Sequence, residues 1–322
     1  MIEIDSAKFF GGECMPFEIR SMTRDDWDRT AHMIRRSLNG WYLKNRGFEL
    51  VTGGDETMLL FPRVYEALDP GCALLAVDTE TGRIAGSCFY HPRERHVSLG
   101  MMNVDPDYFG RGAGSAILRE ITRIADELAL PLRLVSSAMN LDSFALYNRY
   151  GFVPTHFYQD TVVEVPDRGF PLQVPDGMTA RDARAGDIEK IARLEESICG
   201  IRRQKDWRFF FENKDRIWGL SVLEDDRGEL RAVCASVLDP GSHMIGPAAA
   251  CSEEECLALI LRELNRYPGN KPVCLVPSGA LKIRQHLARL GARLCETHIA
   301  QVRGEDFPVS GIVIPSFMPE TA

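Results

Sequence analysis

The sequence lacks a long apolar run, and its cysteines are not paired. No apolar stretch approaches the roughly 20 residues of a membrane span, and the opening segment MIEIDSAKFFGGE carries early acids instead of an apolar leader. We therefore expect no signal peptide and no membrane partner. The nine cysteines stand singly, and no histidine lies at zinc spacing from Cys251 or Cys256. This pattern favours the reducing cytoplasm and predicts no metal site.

Positive charge is also scarce. The formal net charge is −8, and Lys and Arg form no stripe interleaved with aromatic residues, so nucleic acid is not an expected partner. An acidic field weakly favours cationic, amine-bearing ligands. What remains is the composition of a globular protein: 322 residues, 45% hydrophobic and 26% charged. That length predicts two domains.

Prolines and glycines mark one clear break in the chain. The segment 166–177, PDRGFPLQVPDG, follows a strand-rich stretch and precedes a polar helix start, which predicts a linker. We therefore expect a domain at 1–165 and a second at 178–322. The alternation of helical and strand patterns predicts an α/β fold in each, with a mixed, mostly antiparallel sheet flanked by helices. In the first domain a helix is predicted from Thr23 to Gly40.

The second half repeats the element order of the first. The step Val104-x-Pro106 recurs as Ile245-x-Pro247, and Tyr150-Gly151-Phe152 recurs as Leu290-Gly291-Ala292. The two landmarks keep nearly the same separation, which indicates a tandem duplication.

The most informative segment is NVDPDYFGRGAGSAILREI, residues 103–121. A strand ends at a proline, and a glycine-rich turn then opens an amphipathic helix. The first amides of a helix have no intrahelical acceptor and carry partial positive charge. Glycines at 110, 112 and 114 remove side chains that would keep an anion away. The segment therefore predicts a phosphate cradle formed by the backbone of Gly110–Gly114 and the hydroxyl of Ser115.

Two common phosphate loops are excluded. No Gly-Lys-Ser/Thr follows, so this is not a Walker loop, and the G-x-G-x-G spacing differs from the dinucleotide fingerprint G-x-G-x-x-G. A glycine-rich connection that binds nothing stays open as the alternative.

Two blocks of the sequence resemble a known family. V-D-P-D-Y-F-G-R-G-A-G-S is similar to the acetyl-CoA pyrophosphate loop of GNAT N-acetyltransferases, V-x-P followed by Q/R-x-x-G-x-G/A. N-L-D-S-F-A-L-Y-N-R-Y-G-F, residues 140–152, resembles the GNAT pattern N-x-x-A-x-x-x-Y-x-x-x-G-F. The Gln/Arg position of the loop is Phe109 here, and Ser143 replaces the usual alanine. The blocks cover about 50 residues at the family's mutual spacing.

This resemblance implies that the chain binds acetyl-CoA as acyl donor. Asn140 is expected to hydrogen-bond the pantetheine arm and Tyr147 to protonate the departing thiolate, although Tyr147 can also be a core tyrosine beside Phe144. The residues implied to contact acetyl-CoA are Met102, Asn103, Val104, Phe109, Gly110, Arg111, Gly112, Ala113, Gly114, Ser115, Asn140, Ser143 and Tyr147.

The base and the acceptor site are less well marked. Many GNAT enzymes carry a glutamate on the strand before the V-x-P step, and this strand has none. Glu94 and His96, at its start, are the candidate bases, acting through water. They can also be ordinary turn residues, and a neutral amine needs no base. The acceptor pocket is expected at residues 39–48, where Trp41, Tyr42 and Arg46 are candidates to line it. The alternative is an aromatic-bearing loop that only packs on the domain.

The second half is expected to bind no acyl-CoA. Its helix start, AAACSEEECLALIL, has no glycine loop; Ser252 and Glu255 predict a capping box, and Leu287 stands where Tyr147 stands in the first half. It resembles the silent domain of tandem GNAT proteins, which shapes an acceptor pocket or an oligomer interface such as a homodimer. The leading hypothesis is acetyl transfer to a primary amine of a small molecule. A protein N-terminus or lysine acceptor, or a non-catalytic acyl-CoA sensor, stays open.

Overall fold

The computed structural model describes residues 16–318 and 320–321, and a 13-stranded mixed sheet joins the two halves of the chain. The opening segment, on which the expectation of no signal peptide rests, lies outside these residues. The first half contains β1 (Phe17–Ser21), α1 (Trp27–Arg46), α2 (Leu60–Leu68), β2 (Ala73–Asp78), β3 (Ile84–Pro92), β4 (Val97–Val104), α3 (Ala113–Glu127), β5 (Leu132–Ser137), α4 (Leu141–Arg149) and β6 (Val153–Val162).

The second half repeats this order and adds three short strands at its end. It contains β7 (Met178–Asp182), α5 (Ile188–Cys199), α6 (Gln204–Glu212), β8 (Trp218–Asp225), β9 (Leu230–Asp239), β10 (Ser242–Ala250), α7 (Glu253–Leu264), β11 (Val273–Pro277), α8 (Leu281–Arg289), β12 (Arg293–Arg303), β13 (Ile312–Ile314), β14 (Ser316–Phe317) and β15 (Glu320–Thr321). The α/β fold with two similar halves is therefore confirmed. None of the described helices is long and apolar enough to cross a bilayer.

The two halves exchange their last long strands. The strand order is β1-β2-β3-β4-β5-β12-β6-β11-β10-β9-β8-β7, with β13 added beside β10. Strand β12 of the second half is antiparallel to β5 and β6 of the first, with Ala300 opposite Val135 and His298 opposite Tyr158. Strand β6 in turn pairs with β11. Residues 163–177 carry no helix or strand, yet the sheet is continuous across both sides of this predicted linker.

The halves also share a hydrophobic core. Helices α1, α2, α5 and α6 contribute to one buried cluster, and α3 with α4 and α7 with α8 contribute to two others. The shared cluster includes Ile34, Tyr65, Ile191, Trp207 and Phe210, all at most 2% exposed. Burial of such side chains stabilises a fold by about 1.5–3 kcal/mol each, so much of the stability of each half depends on the other.

A buried charge network crosses the same interface. The Arg93 guanidinium contacts Asp69 at 2.7 Å and Asp206 at 2.6 Å, and the Lys205 ammonium reaches Asp69 at 2.7 Å. Buried ion pairs add little net stability, but removal of one partner typically costs about 3–5 kcal/mol. The network therefore fixes how the halves meet.

Helix α1 is longer than the sequence predicts. Gly40 was expected to end it, but the helix continues to Arg46 and ends at Gly47, whose φ of 79° is left-handed. A Cβ at Gly40 would lie 3.1 Å from Cγ of Pro106. Gly40 therefore allows α1 to approach the segment after β4, and residues 39–46, expected to form a loop, are helical.

One landmark of the predicted repeat is wrong. In the parallel ladders, Val97 pairs with Leu132 and Met244 pairs with Val273, so Ile245 corresponds to Ser98 and not to Val104. Strand β10 continues through Pro247, and only residues 251 and 252 separate it from α7, whereas residues 105–112 separate β4 from α3. Because the second link is six residues shorter than the first, an alignment of the two halves by sequence pattern alone pairs the wrong residues of β4 and β10. The other landmark, Gly151 and Gly291, agrees with the structure. Gly151 follows α4 with a φ of 84°, and Gly291 follows α8 with a φ of 87°.

The exchange predicts that the two halves unfold together. A chain ending at Ala292 lacks β12, and the edges of β5 and β6 are then left without their central partner. We expect this truncation to abolish cooperative unfolding of the first half as well as the second, whereas the full chain gives a single calorimetric transition. A first half that melts unchanged in the truncated chain would contradict the shared architecture.

Candidate functional site

Strands β4 and β5 separate after two residue pairs. Val97 and Ser98 pair in parallel with Leu132 and Arg133, and no further pair follows. On its other edge β4 stays paired with β3 as far as Val104. The separated ends therefore form a wedge in which backbone groups can pair with an extended ligand, as in strand addition. Met102 and Val104, where pantetheine contacts were expected, line this wedge.

The glycine-rich loop closes the wide end of the wedge. Gly110 and Gly112 have left-handed φ values of 74° and 92°, and a Cβ on either would have no neighbour within 4 Å. In the first hydrogen bond of the helix, the amide of Ala116 donates to the carbonyl of Gly112. In the described structure, the preceding amides of the loop donate to no protein acceptor; they belong to Gly110, Gly112, Ala113, Gly114 and Ser115. Unused amides at a helix start are donors to which an anion can bond.

Neighbouring side chains hold the loop in place. The hydroxyl of Tyr150 donates to the carbonyl of Ser115 at 2.9 Å, and the hydroxyl of Tyr108 donates to Asp78 at 2.8 Å. The carboxylate of Asp105 accepts from the amide of Asp107 at 2.9 Å. Phe109, at the position of the family's polar residue, is 45% exposed. The loop thus presents its backbone, and Phe109 adds an apolar surface.

Helix α4 supplies the second predicted block. The Oδ1 atom of Asn140 caps the helix by accepting from the amide of Ser143 at 3.2 Å, and its Nδ2 makes no hydrogen bond to the described residues. Tyr147 is 5% exposed and packs against Phe152 at a ring distance of 5.7 Å. Burial raises the pKa of Tyr147, so its phenol stays protonated at neutral pH.

The wedge opens into a cleft of about 1300 Å³. Most of the residues predicted for the site line it: Trp41, Tyr42, Met102, Asn103, Val104, Phe109, Gly110, Gly112, Ala113, Gly114, Ser115, Asn140, Ser143 and Tyr147. The volume exceeds the usual range for a single small ligand. There is room for a long donor arm together with an acceptor.

Four predicted residues do not line the cleft. His96 is fully buried beside Ser98, and burial together with Arg133, Arg203 and Arg93 lowers its pKa well below the usual value. Glu94 is exposed on the turn between β3 and β4, at the end of β4 away from the loop. Neither predicted base is brought to the site. Arg111 lies with its guanidinium over the Tyr108 ring.

The fourth, Arg46, lies next to the cleft but bonds protein groups. Its guanidinium donates to the carbonyl of Cys295 at 3.2 Å and contacts Met139. Trp41 and Tyr42, one turn earlier, pack edge to face at 5.1 Å. The C-terminal end of α1 therefore forms one wall of the cleft.

An acidic group that sequence reasoning missed forms the floor beyond the wedge. Glu296 of β12 accepts hydrogen bonds from the hydroxyls of Tyr42 and Ser137. Asp160 of β6 lies opposite Glu296 in the ladder and bonds Nδ1 of His298 at 2.8 Å. Polar residues at alternate positions of the stretch ETH in β12 were a visible signal. Only the strand exchange, which the sequence does not reveal, places them beside Ser137.

In the described residues of the second half, the corresponding strand edge is paired. Strand β13 pairs antiparallel with Ala248–Ala250 of β10, so protein backbone bonds the edge that corresponds to the unpaired end of β4. Ser252 caps α7 by accepting from the amide of Glu255 at 3.3 Å. The reciprocal half of the predicted capping box is absent, because the Glu255 carboxylate bonds Arg231 at 2.9 Å. Leu287, at the position of Tyr147, is buried.

Comparison with known proteins finds a family match in the first half of the chain. Residues 36–152 match the family model described as Acetyltransferase (GNAT) family. No curated protein matches the sequence.

The fold of the whole chain also occurs in solved structures. A candidate acetyltransferase from Pyrococcus horikoshii superposes with a TM-score of 0.72 at 16% identity over 96% of this chain and 98% of that one. A GCN5-related N-acetyltransferase from Sphaerobacter thermophilus gives 0.63 at 18% identity over 90% and 98%. A tandem GNAT protein from the clavulanic acid biosynthesis pathway gives 0.57 at 14% identity over 90% and 99%. At these identities the likeness establishes the fold alone.

The amide cradle predicts a charge-sensitive binding site. Replacing Gly112 by Glu puts a carboxylate among the free amides at a left-handed position, and a lost charge-assisted bond is worth about 1.5–3 kcal/mol. We expect the Kd for acetyl-CoA, measured by calorimetry, to rise at least about tenfold. Gly82→Glu is the matched control, since Gly82 has a φ of 67° in an exposed turn. Equal affinities of the two variants would exclude the loop as the anion site.

Proposed function

We propose that the protein transfers an acetyl group from acetyl-CoA to a primary amine of a small molecule, because residues 36–152 match the GNAT family model and the chain has the fold of a tandem GNAT protein. The observation that carries this proposal is a single cleft that joins the amide cradle, the open edge of β4 and the phenol of Tyr147. The cradle would hold the pyrophosphate, and the wedge would hold the pantetheine arm in an extended form.

The proposed chemistry is direct attack within a ternary complex. The neutral amine attacks the thioester carbonyl, the C–S bond breaks, and the thiolate takes the proton of Tyr147. A phenol whose pKa is raised by burial keeps its proton until a stronger base, the departing thiolate, forms beside it. Tyr147 then recovers a proton from the amide nitrogen, directly or through water.

The walls of the cleft favour a small acceptor. Helix α1 covers it on one side, and on another the second half contributes the turn before β10 and the middle of β12. An acceptor enclosed by both halves buries most of its surface, as small ligands do. Acetylation of a protein N-terminus or lysine is the alternative within the same enzyme class. Such an acceptor would need a groove open on both sides. All described cysteines are free, which agrees with a cytoplasmic location.

A non-catalytic acyl-CoA sensor is the alternative of a different class. It is favoured by the lack of an acid on β4 and by the exposed Phe109. Acetyl-CoA binding without release of free thiol, over a panel of amines and peptides, would support the sensor. Thiol release with small amines but not with peptides supports the proposed enzyme.

Tyr147→Phe tests the proposed acid. Proton donation by a positioned side chain contributes about 10²–10⁴-fold to rate, so kcat for thiol release should fall by at least about 100-fold. Acetyl-CoA affinity should stay unchanged, because the ring and its packing on Phe152 remain. Tyr90→Phe, a hydroxyl removed outside the cleft, should leave kcat within a factor of about three. Unchanged turnover in Tyr147→Phe would remove this residue from the mechanism.

A further inference from the structure

The proposed reaction needs a group that binds the acceptor ammonium and removes its proton. At neutral pH an alkylamine is protonated, and its neutral form costs roughly 4–5 kcal/mol. Strand β4 carries no acid, and Glu94 and His96 do not reach the cleft. Building on the proposed function, we infer that Glu296, on the strand contributed by the second half, binds the acceptor ammonium and accepts its proton.

The position of Glu296 is fixed from two sides. Its Oε2 atom accepts from the hydroxyl of Tyr42 on α1, and its Oε1 atom accepts from the hydroxyl of Ser137 on β5. A carboxylate only accepts hydrogen bonds, and here each of its two oxygens accepts from one hydroxyl. Each carboxylate oxygen has a second lone-pair site, so an ammonium can bond Glu296 without displacing either hydroxyl.

Glu296 lies at the junction between the donor wedge and the second half. Ser137 is the last residue of β5, the strand that forms one side of the wedge, and it pairs with His298 of β12. Residues Glu296 and His298 share one face of β12 because side chains alternate along a strand. Tyr42 approaches the same face from α1. The carboxylate therefore lies where an acceptor entering over β12 meets the wedge.

The charges around Glu296 favour a cation. Asp160 faces it across the ladder and is held by Nδ1 of His298. Burial raises the pKa of Asp160, the negative charge of Glu296 raises it further, and the His298 hydrogen bond opposes this rise. Burial and the Glu296 charge also raise the pKa of Tyr42, while Arg46 opposes it, so Tyr42 stays a donor. Arg46 itself donates to the backbone of Cys295.

The proton balance follows from these contacts. The acceptor R–NH₃⁺ transfers one proton to the Glu296 carboxylate and becomes R–NH₂. Its lone pair forms the C–N bond as the C–S bond breaks, and the second amine proton leaves as the amide forms. Tyr147 supplies the thiol proton and is reprotonated by that second proton. The carboxylic acid at Glu296 then returns its proton to water, so one proton is released per turnover.

Glu296→Gln tests the inference, because the amide keeps the size of the side chain and removes its charge. For butylamine, which is protonated at pH 7, kcat/KM should fall by at least about 100-fold. For aniline, which is neutral at pH 7, the fall should stay below about threefold. Acetyl-CoA affinity should not change, which excludes misfolding. Glu305→Gln, an exposed acid beyond the end of β12, is the matched control and should behave as wild type.

A binding measurement separates this inference from the proposed function. In the presence of CoA, the wild-type protein should bind butylammonium in preference to butan-1-ol, and Glu296→Gln should lose that preference. If the wild type transfers acetyl to no amine, the proposed function fails. The preference for butylammonium then still shows whether Glu296 binds an ammonium. Equal losses for butylamine and aniline, or an unchanged preference in Glu296→Gln, would overturn the inference.

Discussion

The insertion of β12 between β5 and β6 is the constraint on which the rest of the structure depends. Strand exchange turns two similar halves into one sheet, and neither half has a complete edge without the other. It also brings Glu296 and His298 of the second half to the end of β5, beside the wedge between β4 and β5, and β15 of the second half lies against these two strands as well. Residues of both halves therefore line the same cleft, although the two predicted sequence blocks lie in the first half.

Duplication followed by loss explains the contrast between the two wedges. In the first half a glycine loop leaves five amides unused, and β4 has no hydrogen-bonded partner on its β5 side beyond Ser98. In the second half the loop is reduced to residues 251 and 252, Ser252 caps the helix, and β13 covers the strand edge. Each change satisfies backbone groups that a ligand would otherwise satisfy. The second half thereby becomes a structural partner that still supplies side chains to the shared cleft.

Local signals in the sequence predicted much of the fold and most of the residues of the glycine loop and α4 that line the cleft. The glycines at 110, 112 and 114 and the spacing to Tyr147 lie within elements that are contiguous in sequence, so short-range physics determines them. Gly40 misled the prediction because its role is a tertiary contact with Pro106. Glu296 could not be found, since its neighbours Tyr42 and Ser137 are about 160 to 250 residues away in the chain and only long-range strand pairing joins them.

We propose that acyl-CoA binds in the wedge of the first half and not at the corresponding strand ends of the second half. Hydrogen exchange with and without acetyl-CoA tests this directly, because a bound ligand protects the amides that it contacts. We expect new protection at residues 110–115 and along the end of β4, with exchange of Ala248–Ala250 and the start of α7 unchanged. New protection at α7 without any at residues 110–115 would contradict it.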